Sequence, residues 1–349
     1  MKHHPLSTGL CIAVLFAAVA PARAQDDVRP VNPDASPEAV ALLQYIHSIS
    51  GKQTMGGQHC NPLVGDTRLA TTEKNIGVYP ALFGQDFGFS PVGTWDGINY
   101  RQRMVDDAIR RHHEGFVISF MWHAVRPIEQ EPVDFRTGIQ SELTDEEWAD
   151  LITPGTETHE RWKSQVDVIA WHLQQLRDAG VPVLWRPYHE MNGDWFWWGK
   201  KPGDDGYKKL WRMMYDRLTN FHGLNNLIWV YNCNEISGDN IDPYDAYYPG
   251  DDVVDILATD VYRGGFAQHD YDGLLEVAGG KPIAIGECGT PPTAEILAAQ
   301  PKWVWFMIWG DPRGRELRDL YDSEQVLDVT ELPWTTVKNP KTHHPVLKD

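Results

Sequence analysis

Eight short apolar runs, separated by amphipathic stretches, constrain the fold more than any other feature of this sequence. They cover residues 53–58, 80–86, 116–123, 182–187, 227–232, 255–260, 282–286 and 304–309. Runs such as GFVISFMW, from Gly115 to Trp122, are almost continuously apolar, as strands buried on both faces are. Helical patterns lie between them at 100–113, 158–179, 207–222, 271–278 and 293–299. An earlier helix opens at Ser36, an N-cap followed by Pro37, and runs to about Ser50. Strands and helices in strict alternation predict an α/β chain folded as a single (β/α)8 TIM barrel, rather than a doubly wound sheet. The long loops, 121–156 and 188–206, follow the third and fourth runs, so they belong to the C-terminal face of the strands, where barrels carry their sites.

The N-terminus reads differently. Residues 1–24 combine Lys2, an apolar stretch from Leu10 to Ala20 and the small-x-small sequence Ala22-Arg23-Ala24, the pattern of a secretory signal peptide. A polar leader is expected at 25–37 and the catalytic barrel at 38–349, in a protein that is secreted or periplasmic. The formal charge of −18 argues against nucleic acid and anionic membrane as partners. Cys60, Cys233 and Cys288 form no CxxC, and no His or Cys pair has zinc-site spacing, so neither a metal nor another cofactor is expected. The chain is expected to act as a monomer. Its 15 tryptophans exceed what one core needs and point to a carbohydrate or other flat ligand.

Two acids stand at strand exits. Glu190 follows the fourth run within Trp185-Arg-Pro-Tyr-His-Glu-Met-Asn-Gly-Asp-Trp-Phe-Trp-Trp-Gly199, and Glu287 follows the seventh within Ile-Ala-Ile-Gly-Glu-Cys-Gly289. A barrel brings the fourth and seventh exits across from each other at its mouth. Paired carboxyls flanking an acetal hydrolyse glycosides: roughly 5–5.5 Å between them gives retention, and a wider gap admits a water and gives inversion. Around them, His123 ends the third run and His189 precedes Glu190, both placed to contact sugar hydroxyls; His59, ending the first run, is a weaker candidate. Trp122, Trp195, Trp197, Trp198 and Trp309 are candidate platforms for pyranose faces, with one of Trp197 and Trp198 expected in the core instead. Tyr262, at the sixth exit, is placed to reach Glu287, and Asp260 to contact a hydroxyl or to serve the scaffold.

The segment Arg186-Pro-Tyr-His-Glu-Met-Asn-Gly-x-Trp-Phe-Trp-Trp198 resembles the acid/base segment of glycoside hydrolase family 26, the bacterial β-mannanases. Gly56-Gly-Gln-His59, Trp122-His123, Asp260-Val-Tyr262 and Ile285-Gly-Glu-Cys-Gly289 are similar in the same order. The resemblance implies a metal-free retaining barrel enzyme with Glu190 as acid/base and Glu287 as nucleophile. By the same resemblance His123, His189, Tyr262 and Trp309 fall near the cleavage point, Trp195 on an aromatic wall and Asp260 on a polar contact. It implies β-1,4-mannosidic bonds of mannan, glucomannan or galactomannan as substrate, while some relatives cleave mixed-linkage β-glucan or β-1,3-xylan. Two stretches depart from the family's pattern, Ala124-Val-Arg-Pro127 and Gly310-Asp-Pro312, both at the cleft edge. The segment 128–156 could close one end of the cleft and favour attack from chain ends. A carbohydrate-binding protein without catalysis is the third reading, and two opposed acids argue against it.

Overall fold

The computed structural model describes residues 28–262, 265–311 and 315–337. The expected signal peptide lies outside these, as do Pro312 and the last twelve residues of the chain.

Eight parallel strands carry the expected pattern: β1 Thr54–Cys60, β2 Leu82–Asp86, β3 Val117–Trp122, β4 Val183–Pro187, β5 Leu227–Asn234, β6 Ile256–Val261, β7 Ile283–Cys288 and β8 Trp303–Ile308. Each pairs with the next, and β1 pairs with both β2 and β8, which closes the sheet into a barrel. The fold is the (β/α)8 barrel that the alternation predicts. A short strand that the periodicity does not announce, β9 Val326–Leu327, adds to the start of β1.

Helix α1, Pro37–Ile49, begins where Ser36 Oγ accepts the Ala39 N–H. It lies under the barrel, where Leu42, Leu43, Ile46 and Ile49 join the inward-facing Met55, Leu82, Leu184, Ile228, Ile256 and Trp305 in one apolar cluster. The described part of the leader packs here too. Val28 is buried, and the Val31 N–H donates to Asp255 Oδ1 at 2.7 Å.

The outer helices are α2 Thr67–Ile76, α3 Arg101–Glu114, α4 Asp145–Leu151, α5 Glu157–Asp178, α6 Tyr207–Tyr215, α7 Gln268–Ala278, α8 Ala294–Ala299 and α9 Arg315–Tyr321. Helix α5 starts on the Thr156 cap and stops before Gly180, whose φ of +70° suits glycine. Beyond Tyr215 the α6 pattern continues as a wider turn, Asp216–Phe221. Between helices and sheet lies a second apolar layer that includes Ile118, Phe120, Trp122, Trp185 and Trp229.

Strand β7 departs from regular pairing. Thr259 pairs with Ile285 but Asp260 pairs with Glu287, so Gly286 is an extra, bulged residue. Bulges re-aim the side chains beside them, and here the side chain is Glu287.

Candidate active site

An open cleft of about 600 Å³ crosses the C-terminal mouth of the barrel. Its walls contain Glu190, Glu287, His123, His189, Trp195, Tyr262 and Trp309, seven of the residues expected there. Asn61, Asp86, Phe89, Trp95, Asp96, Phe135, Gln140, Phe196 and Asn234 complete the lining.

Glu287 is held from two sides. Arg186 Nη2 donates to its Oε1 at 3.0 Å and the Tyr262 hydroxyl to its Oε2 at 2.5 Å. Arg186 is only 2% exposed and also donates to Asn232 Oδ1 at 2.8 Å and Asp260 Oδ1 at 3.3 Å, so its buried charge is shared among three oxygen acceptors. Burial of the Tyr262 hydroxyl end, then the neighbouring Glu287 charge, pushes its pKa up and keeps the phenol a donor.

Glu190 sits on a strained turn. Its φ is +56°, Tyr188 before it has +49°, and the Glu190 N–H is tied to the Asn232 carbonyl at 2.7 Å. Non-glycine residues hold this conformation at a cost of about 1–3 kcal/mol, and only where the surroundings fix it. Here Trp162 Nε1 donates to the Tyr188 hydroxyl, the Tyr207 hydroxyl to the Tyr188 carbonyl, and Trp198 Nε1 to the His189 carbonyl. Burial, then the charge of Glu287, raises the Glu190 pKa to about 8; Trp195 Nε1, donating to Glu190 Oε2 at 2.7 Å, pulls the other way. One acid is thus fixed by a cation and a phenol, while the other is biased toward carrying a proton at neutral pH.

The histidines divide by partner. Burial disfavours charge on His123, but Asp86, 2.6 Å from Nδ1, outweighs it and raises the pKa. Burial and then charged His123 push His189 well down, so it is a neutral imidazole. His59 is buried beneath Trp309, stacked at 3.5 Å with an 11° tilt, and sets the plane of that indole.

Three expected contacts do not reach the cleft. Trp122 is 2% exposed because strand alternation turns Ile118, Phe120 and Trp122 outward, toward the helices, and so turns His123 inward. Trp198 is fully buried behind Phe196, stacked on it at 4.5 Å, and Trp197 is buried as well, its indole N–H on the Ala124 carbonyl. Asp260 has no exposed surface and lies under Glu287, where burial and then the Glu287 charge raise its pKa well above the ordinary range. His189, Asp260 and Glu287 bring potential ligand atoms within 4.8 Å of one another, but Arg186 already supplies the positive charge there.

Arg186 and Asp86 were assigned no role from sequence, although a signal exists. Arg186 shares the inward face of β4 with Leu184, and a charge at the top of an otherwise apolar inward row needs partners within the barrel. The loop residues Asn61, Trp95 and Phe135 carry no such periodic signal.

The family model described as Glycosyl hydrolase family 26 matches residues 31–339. This chain belongs to that family. Among curated relatives it is 36% identical over 319 residues to a mannan endo-1,4-beta-mannosidase of Thermothelomyces thermophilus, covering 86% of this chain and 62% of that protein. A Piromyces mannan endo-1,4-beta-mannosidase A is 30% identical, with 87% of this chain and 50% of that protein covered. The chain therefore spans one half to two thirds of the length of these relatives. Among solved structures, GH26A from Muricauda sp. superposes with a TM-score of 0.82 at 44% identity, covering 86% of this chain and 99% of that one. A β-mannanase from a symbiotic protist of the termite Reticulitermes speratus, complexed with gluco-manno-oligosaccharide, gives 0.75 at 28% identity, with 87% and 97% covered.

Proposed function

We propose that this family 26 protein is an exported, retaining endo-β-1,4-mannanase. The observation that carries the reading is the division of labour between the two acids, with Glu287 fixed by Arg186 and Tyr262 and Glu190 poised to give up a proton. Mannan as substrate is drawn from the relatives' activity. Export is drawn from the N-terminal sequence.

In the proposed cycle Glu190 protonates the glycosidic oxygen as Glu287 attacks the anomeric carbon, breaking the bond to the leaving chain and forming a glycosyl ester. Glu190, now a carboxylate, takes a proton from water, which attacks the same carbon and frees Glu287. Retention rather than inversion is drawn from the family resemblance of the two acid segments. His123, His189, Trp195 and Trp309 line the place where the sugar lies, and Tyr262 steadies the attacking oxygen.

A polysaccharide panel tests the substrate. Linear mannan and galactomannan are expected to release reducing ends, with little release from lichenan or β-1,3-xylan. Turnover confined to the last two would move the enzyme to another polymer. The segment after β3 contributes Phe135 and Gln140 to the cleft, which keeps attack from chain ends as a second reading. A ladder of mixed oligomers at early times selects the endo mode, and one short product selects the other.

The basic limb of kcat/KM against pH reports Glu190 in the free enzyme. Trp195 stabilises the carboxylate form, so Trp195→Phe is expected to raise the Glu190 pKa and move that limb, near pH 8 in the wild type, to higher pH. A limb that stays in place or moves down would remove this tuning from Trp195.

A further inference from the structure

We propose that the outer wall of the barrel carries a second polysaccharide-binding surface, remote from the cleft, with Trp171 of α5 and Phe221 of the wide turn after α6 as its platforms. It rests on the polysaccharide reading above and concerns how the enzyme holds an insoluble polymer, not how it cleaves one.

Trp171 stands at the apex of the solvent face of α5. The helix buries Trp162, Val166, Ile169, Leu173 and Leu176 toward the barrel, and their spacing turns Trp171 the other way. Its indole is 56% exposed, and Val168, one turn earlier on the same side, is exposed as well. The buried His172 meets the indole edge-on, with ring centres 4.8 Å apart.

Phe221 ends the wide turn Asp216–Phe221 and is 66% exposed. Wide turns of this kind are rare in helices and concentrate at functional sites. The Arg217 guanidinium lies over the ring, 4.1 Å from its centre, which fixes one face and leaves the other open. Arg217 is itself held by Asp167, Nε to Oδ1 at 2.8 Å and Nη2 to Oδ2 at 2.6 Å, and His222 Nε2 lies 2.7 Å from the same Oδ1. Asp167 precedes Trp171 by one turn of α5, so a single carboxylate joins the two platforms. Gln174, one turn after Trp171, places its amide 3.4 Å from His222 Nδ1.

Two exposed rings flanking a carboxylate, an imidazole and an amide suit a neutral polysaccharide. Its C–H faces lie on the rings while hydroxyls reach the polar groups. The charges here are already paired, Asp167 with Arg217 and Asp178 with Arg177. A neutral polymer therefore covers the surface without desolvating an unpaired ion, whereas the formal charge of −18 opposes a second copy or another acidic partner. At about 1.5 Å per residue, Trp171 lies roughly 20 Å down α5 from the Thr156 cap. An oligosaccharide that fills the cleft leaves this surface free; a polymer particle engages both.

The test measures depletion onto insoluble linear mannan, with Glu287→Ala in every protein so that nothing is hydrolysed. Adding Trp171→Ala and Phe221→Ala is expected to lower the partition coefficient about tenfold, the loss typical of truncated aromatic anchors. With Glu287 restored, the double variant is expected to keep the wild-type kcat/KM on mannohexaose. Tyrosine at both positions is expected to recover most of the binding. Unchanged partitioning, or an equal loss on mannohexaose, overturns the surface. Sedimentation run alongside reports a second copy: a dimer that the double variant dissolves overturns it too. If the wild type cleaves no manno-oligosaccharide, the substrate reading fails instead. The surface is then judged on insoluble β-glucan and β-1,3-xylan, where the same loss supports it, and no loss, or no binding by the starting protein, overturns it.

Discussion

Glu287→Ala is expected to reduce mannan turnover by at least about 10⁴-fold, since in the proposed cycle it removes the group that would form the covalent intermediate. Arg186 and Tyr262 donate to that carboxylate, and alanine leaves the guanidinium with Asn232 and the buried Asp260, so the barrel retains most of its internal hydrogen bonds. Added azide can enter the space vacated by the carboxyl. It would then attack from the nucleophile's face and yield the α-glycosyl azide. Glu190→Ala behaves differently. Its loss on mannan is about 10²–10⁴-fold, the range for one general acid, while aryl glycosides with good leaving groups still form the glycosyl-enzyme. Azide then attacks that intermediate from the opposite face and gives the β-azide. The opposite product from either variant would exchange the roles of the two acids. Near-normal turnover in both would remove them from the chemistry.

Gly286→Ala is expected to cost both rate and stability, although it adds a single methyl group and changes no charge. A Cβ at Gly286 would meet Asn232 Oδ1 at 1.8 Å and Asp260 Oδ1 at 2.7 Å. Neither neighbour has room to retreat. Asn232 is fully buried, accepts from Arg186 and donates from its amide to the Cys233 carbonyl, and its own carbonyl holds the Glu190 N–H. The strand must therefore shift, and the bulge that aims Glu287 shifts with it. Overpacking of this kind costs about 1–3 kcal/mol of stability, and a 1 Å misplacement of a reacting group costs about 10²-fold in rate. Thermal unfolding and kcat should both report the change. A variant with wild-type kcat would show that the aim of Glu287 does not depend on the bulge.

The barrel was legible because its strands are buried on both faces and therefore spell out apolar runs, each found within a few residues of its place. The two acids were legible for a related reason: each ends a run, and run ends in a barrel converge on one rim. Depth was harder to read. Trp122 and His123 are adjacent, and only the alternation set by Ile118 and Phe120 separates the one in the core from the one in the cleft. Trp195, Trp197 and Trp198 lie on an irregular loop without period, so nothing local distinguishes the indole that meets Glu190 from the two that support the turn. Helices α2, α4 and α9 were not read from the pattern although α8, with only six residues, was, and β9 has two residues.

The most direct test of the account follows the anomeric proton of the first sugar released from mannan by NMR, before mutarotation. Attack by Glu287 followed by water activated at Glu190 inverts the anomeric carbon twice, so the new reducing end is predicted to appear as the β-anomer and only later to equilibrate. An α-anomer appearing first would mean a single displacement by water, and would contradict the assignment of Glu287 as nucleophile.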